Sequence, residues 1–138
     1  FNLKTLSLEI DKGIDPMLKN YFRLLCNVVE NDKIKEFYYE GSTLTFTEKL
    51  STGYVKEEII GDNSIHVLFA RKIGLFKKYN MSFYTMQPSI GQGATVHILG
   101  SLGDQSNFHK HSFIMDMTFV KLRKKFYIQN QFFTIIKA

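Results

Sequence analysis

The sequence predicts one α+β domain, with helices covering one face of an antiparallel sheet. Three observations carry this. Apolar residues early in the chain recur with the spacing of one helical face, at Leu18, Tyr21, Phe22, Leu25, Val28 and Val29. From residue 79 onward they alternate instead, which is the period of a strand. The links between these later segments are short, as antiparallel neighbours require. Helices first and a meander of long strands afterwards is an α+β order, not a repeated β-α one.

Residues 2–10 alternate weakly, and residues 1–14 read as an extended N-terminal arm or edge strand that Gly13 breaks. Asp15 and Pro16 start a helix, Asp15 as N-cap and Pro16 at the first position, where a missing N–H costs nothing. Asn31 and Asp32 end it. A short helix over 33–39 carries Ile34, Phe37 and Tyr38, with Gly41 closing it. Residues 42–48 alternate Leu44 and Phe46 with Thr43, Thr45 and Thr47, and residues 54–60 return as a second strand after a Ser51-Thr52-Gly53 turn. A third helix over 64–71 presents Ile65, Leu68 and Phe69. Four strands follow. Residues 79–87 set Met81, Phe83 and Thr85 against Ser82, Tyr84 and Met86, and residues 94–102 carry Val96 and Ile98. Residues 103–107 form a hairpin link. Residues 113–122 place Phe113, Met115, Met117 and Phe119 opposite Ile114, Thr118 and Val120. After a turn at Arg123, Lys124 and Lys125, residues 126–136 form the last strand.

At 138 residues the chain fits a single domain spanning 1–138, large enough to need no metal or disulfide staple. Hydrophobic residues make up 44% and charged residues 22%, ordinary globular values, while 13 Phe and 7 Tyr supply an aromatic-rich core. The single cysteine, Cys26, cannot form an internal disulfide and points to a reducing compartment; it reads as a small buried helix residue. No apolar run reaches membrane-spanning length. The net charge is +5, much of it in two clusters: Arg71, Lys72, Lys77 and Lys78, then Lys121, Arg123, Lys124 and Lys125. Such charge attracts nucleic acid or an acidic partner, although neither cluster carries the basic-aromatic motif of a known RNA-binding module.

In this order the segments resemble the nuclear transport factor 2-like family, in its eukaryotic transport branch. "YFRLLCN" (21–27) resembles the family's first-helix pattern, and "FYYEGSTLTF" (37–46) the stretch leading into the first strand. "GDNSI" (61–65) resembles the opening of the third helix, "VHILGSL" (96–102) a central strand, and "FIMDMTFVK" and "FYIQNQFF" the final two strands. Gln131 stands where the family often has Asp, Met117 where it often has Gln, and Thr134 where it often has Arg. The resemblance implies a cone-shaped fold, three helices held in a strongly bent sheet. It also implies pairing through the outer sheet face, docking of Phe-Gly repeats or other Phe-containing peptides, and a place at the nucleus, the nuclear pore and the cytoplasm.

The residues themselves point to pairing. Both registers of the last two strands are apolar, so one face covers the helices and the other needs a partner. Ile114, Asp116, Thr118 and Val120 are the expected dimer interface, with Asp116 a satisfied interface carboxylate and not a general base. Tyr127, Phe132 and Phe133 are the expected lining of a slot for a Phe-containing peptide. His97, His109 and His111 read as a solvated hairpin, with no metal and no cofactor expected. The expected function is non-catalytic protein interaction in nucleocytoplasmic transport, in messenger RNA export, which the basic charge fits better than it fits the acidic founding carrier of the family. The partner is a second copy or a related domain, with RNA contact weak or indirect. The alternatives are an RNA-associated dimeric scaffold of the stress-granule type and a small-molecule isomerase or dehydratase on the same fold.

Overall fold

The computed structural model describes residues 3–27, 29–73, 76–89, 93–104 and 110–137, with side chains described from residue 13 onward. Helix α1 (Leu3–Leu25) and a 3-10 helix (Asn31–Phe37) come first. Then follow β1 (Tyr38–Leu50), β2 (Gly53–Ile60), α2 (Asp62–Lys72), β3 (Lys78–Pro88), β4 (Ala94–Gly103), β5 (His111–Leu122) and β6 (Lys125–Lys137). The fold is α+β, three helices against one curved, unclosed sheet in the order β2-β1-β6-β5-β4-β3.

The expected extended arm over 1–14 is helical from Leu3 onward, because α1 runs without interruption through Gly13 and Pro16. Leu3, Leu6, Ile10, Ile14 and Leu18 are spaced by three or four, so the same residues that alternate weakly also fit a helical stripe. Pro16 inside a helix costs roughly 3 kcal/mol. Full burial of Ile14, Leu18 and Phe22 offsets it, each such side chain contributing about 1.5–3 kcal/mol. Asp15 is therefore not an N-cap. Its carboxylate accepts the Tyr84 hydroxyl of β3 and pairs with Lys19 at 3.3 Å, and the Tyr84 bond holds its pKa below the usual carboxylate range. The helix ends earlier than Asn31, at Leu25, where the Asn27 Oδ1 accepts the N–H groups of Val29 (2.9 Å) and Glu30 (3.1 Å). Gly41 lies within β1 and does not close the short helix.

The sheet is antiparallel except where β1 runs parallel to β6. No hairpin joins these two strands, so nothing local dictates their relative direction. Inward residues alternate as expected on β1 (Ser42, Leu44, Phe46) and β5 (Phe113, Met115, Met117, Phe119). Two bulges shift the phase elsewhere. On β3, pairing skips Ser82, so Met81, Tyr84 and Met86 pack against the core while Phe83 turns outward. On β6, pairing skips Gln129, which puts Ile128 on the same inner face as Gln131, Phe133 and Ile135. The bulge thus brings Ile128 from one expected register onto the inner face with Phe133 and Ile135 from the other, while Tyr127 and Ile136 alternate with that face. Gly100 accommodates the β3 bulge: a Cβ there would sit 2.2 Å from the Asn80 carbonyl oxygen.

The β5–β6 link is a two-residue turn in which Arg123 (φ 51°) and Lys124 (φ 68°) are both left-handed. Such a turn favours Asn-Gly, and ordinary residues there carry strain. Replacing the pair, Arg123→Asn with Lys124→Gly, is expected to stabilise the domain by about 1 kcal/mol, read as a raised denaturant midpoint at unchanged slope.

Candidate interaction surface

The outer face of the sheet carries exposed apolar residues on four consecutive strands. Phe83 on β3 is 54% exposed, Leu99 on β4 44%, Ile114 on β5 41% and Phe132 on β6 57%. Three stand in one row: Phe83 pairs with Leu99, and Leu99 with Ile114. In the next row Thr85, His97, Asp116, Phe132 and Thr45 are successive partners. His97 Nδ1 contacts Asp116 Oδ1 beside Phe132. Cross-strand neighbours lie close enough for these side chains to form a continuous surface. Contiguous exposed apolar surface is common at interaction sites.

All four expected interface residues lie on this face, with Ile114 exposed and Asp116, Thr118 and Val120 half-buried. Phe83 and Leu99 belong to it as well. Leu99 was legible, since it alternates with Val96 and Ile98; Phe83 was hidden by the bulge.

The three residues expected to line a peptide slot do not come together. Phe133 is fully buried and packs among Phe46, Phe69 and Phe113, with ring centroids 5.6–6.0 Å away. Phe132 points to the opposite side, onto the outer face. Tyr127 lies past the Gln129 bulge, where its ring meets Tyr39 edge to face at 6.0 Å. Strand alternation separates Phe132 from Phe133, so a single slot cannot use both.

The expected histidine hairpin also disperses. His97 is mid-strand, His111 packs against Phe76 at the far end of β5, and His109 lies outside the described residues. Among the described residues no group of three or more His, Cys, Asp or Glu could hold a metal ion.

Inside the sheet, three fully buried polar side chains close a ring. Tyr38 donates to Gln131 Oε1 (2.5 Å), Gln131 Nε2 donates to Tyr21 (3.0 Å), and the Tyr21 hydroxyl donates to Tyr38 (2.7 Å). The second Gln131 N–H faces Met115 Sδ at 3.3 Å. Burial pushes both phenols well above their usual pKa, so the ring stays neutral. Burial also pushes the half-buried Cys26 thiol up to about 12, which disfavours its thiolate form. Glu48, at the end of β1, is buried and held by Lys72 (2.8 Å) from α2 and Lys137 (2.9 Å) from β6.

No family model matches the sequence, and no curated protein matches it. Solved structures do resemble the fold. Nuclear transport factor 2 from Cryptosporidium parvum is 17% identical, with a TM-score of 0.72 over 92% of this chain and 94% of that one. The yeast Ubp3-associated protein Bre5 is 18% identical, with a TM-score of 0.70 over 91% of this chain and 95% of that one. Bre5 is similar again in its complex with the deubiquitinase Ubp3, at 17% identity and a TM-score of 0.67 over 91% and 95% of the two chains. The chain has the nuclear transport factor 2-like fold.

Proposed function

We propose that this chain is a non-catalytic protein-interaction domain that pairs through the outer face of its sheet with a second copy of itself or a related domain. The observation that carries the reading is the row of Phe83, Leu99 and Ile114 with Phe132 beside it, apolar surface on four neighbouring strands. A non-catalytic role is supported by the inner face, where Tyr21, Tyr38 and Gln131 satisfy one another and Gln131 occupies a position often acidic in the family. A general base needs a carboxylate free to take a proton, and Glu48 is tied to two lysines.

We place the domain in nucleocytoplasmic transport, in messenger RNA export, at the nucleus, the nuclear pore and the cytoplasm. The fold it shares with a nuclear transport factor and the +5 net charge support this. The Bre5 structure with Ubp3 shows the fold engaged with another protein, which supports protein partners here. Phe-containing peptides are the proposed second ligand; of the expected slot residues Phe132 belongs to the pairing patch and Phe133 to the core, which leaves Tyr127 for them.

The pairing is tested by the double substitution Ile114→Asp with Phe132→Asp. Two carboxylates on the patch leave the core untouched and oppose its desolvation. Sedimentation velocity is expected to show the unaltered chain as a dimer and the variant as a folded monomer. A variant that sediments as the unaltered chain does would place the interface elsewhere.

A further inference from the structure

We propose that the end of the sheet at the β5–β6 turn is a binding site for single-stranded nucleic acid. Lys121, Arg123, Lys124 and Lys125 are all exposed, within five consecutive residues, and among the described residues none of them forms an ion pair. The other basic cluster differs, because Arg71 is paired with Glu57 (3.0 Å) and Lys72 with Glu48 (2.8 Å). Four basic side chains with no ion pair among the described residues are therefore gathered at this one turn.

Aromatic rings lie directly beneath that charge. Tyr39 and Tyr127, with Lys121, Leu122 and Arg123 around them, line a cleft of about 620 Å³. Lys125 Nζ stands 5.1 Å from the Tyr127 ring centre, and Lys121 Nζ 5.6 Å from that of Phe126. Rings on which bases stack, flanked by cations that track phosphates, are the two components of single-strand recognition. An acidic peptide would use the cations and leave the tyrosines idle. The backbone adds an independent observation. Two cations occupy left-handed positions that Asn-Gly would fill without strain, and strain of this kind collects at functional sites. The site lies at one end of the pairing face, since Val120, the outermost of the expected interface residues, is about 20 Å along β5 from Ile114 at the usual strand rise.

A short fluorescein-labelled oligouridine, titrated by anisotropy at several salt concentrations, tests the proposal. Binding is expected with a log–log salt slope of about −3, the value for four neutralised phosphates on a single strand. The paired substitution Arg123→Asn with Lys124→Gly, which keeps the turn, should bring the slope to about −1.4. Tyr127→Ala should weaken binding about tenfold at constant slope. Failure to bind oligouridine at low salt, or an unchanged slope in the Asn-Gly variant, overturns the proposal. Equal binding of labelled oligoglutamate, insensitive to Tyr127→Ala, overturns it in favour of an acidic protein partner.

Discussion

Phe133→Ala is expected to destabilise the domain by about 3–5 kcal/mol, while Phe132→Ala, one residue away, leaves the folding of the single chain nearly unchanged. Phe133 is wholly buried, and its ring meets three other phenylalanines from β1, α2 and β5. Truncation removes the transfer free energy of the ring and leaves a cavity that neighbours from three elements cannot collapse into, which sets the 3–5 kcal/mol figure. That is a large share of a typical domain's total stability. Phe132 is 57% exposed, so its truncation returns little buried surface to water within one chain. Its cost should appear in association, where a buried aromatic anchor is commonly worth 2 kcal/mol or more. Chemical denaturation of both variants at low concentration, with a dilution series beside it, separates the two effects. A Phe132→Ala protein as unstable as Phe133→Ala would contradict the assignment of β6 faces.

The second large effect is expected at Glu48. Burial raises its pKa, but the hydrogen bonds from Lys72 and Lys137 outweigh that, and the net direction is down from the ordinary 4.5. A carboxylate with a depressed folded-state pKa stabilises the fold fully above its unfolded value. That contribution fades as pH falls from about 4.5 through the lower folded value. Glu48→Gln should remove it, costing about 2 kcal/mol at neutral pH; the two lysines are about one-third exposed and recover some hydration, which keeps the loss below that of a fully buried pair. The unaltered chain should lose stability more steeply than Glu48→Gln between pH 5 and pH 3. Parallel stability–pH curves for the two proteins would show that the bridge contributes nothing. The bridge matters structurally because Lys72 is in the last turn of α2 and Lys137 near the end of β6, so one carboxylate fastens a helix and two strands at the same corner.

The fold was legible wherever periodicity was unbroken. From Ser42 onward β1 alternates without interruption, as the inner face of β5 does, and their inner residues, Leu44 and Phe46, then Phe113 to Phe119, are those the pattern picks out. α2 buries Ile65, Leu68 and Phe69 as its spacing requires. What could not be read were the interruptions. A single extra residue at Ser82 or Gln129 reverses every later side chain on that strand, and nothing in the local composition marks either position. This is why Phe83 was grouped with Met81, from which the bulge separates it. The first helix misled for another reason: Gly13 and Pro16 are both breakers by local rule, and tertiary burial of Ile14 and Leu18 overrides them. Long-range polar partners, such as the hydroxyl of Tyr38 with Gln131 across 93 residues, carry no sequence signal at all. The pairing surface was half legible, because Ile114 and its β5 neighbours follow from alternation while the contribution of β3 depends on the bulge.

The central claim is that the outer face is an interface, and the mass of the unaltered chain by light scattering across a dilution series tests it most directly. A mass near twice 16.1 kDa, falling only at high dilution, is the predicted result. A stable, well-behaved monomer at every concentration, with no related domain able to shift it, would contradict the account.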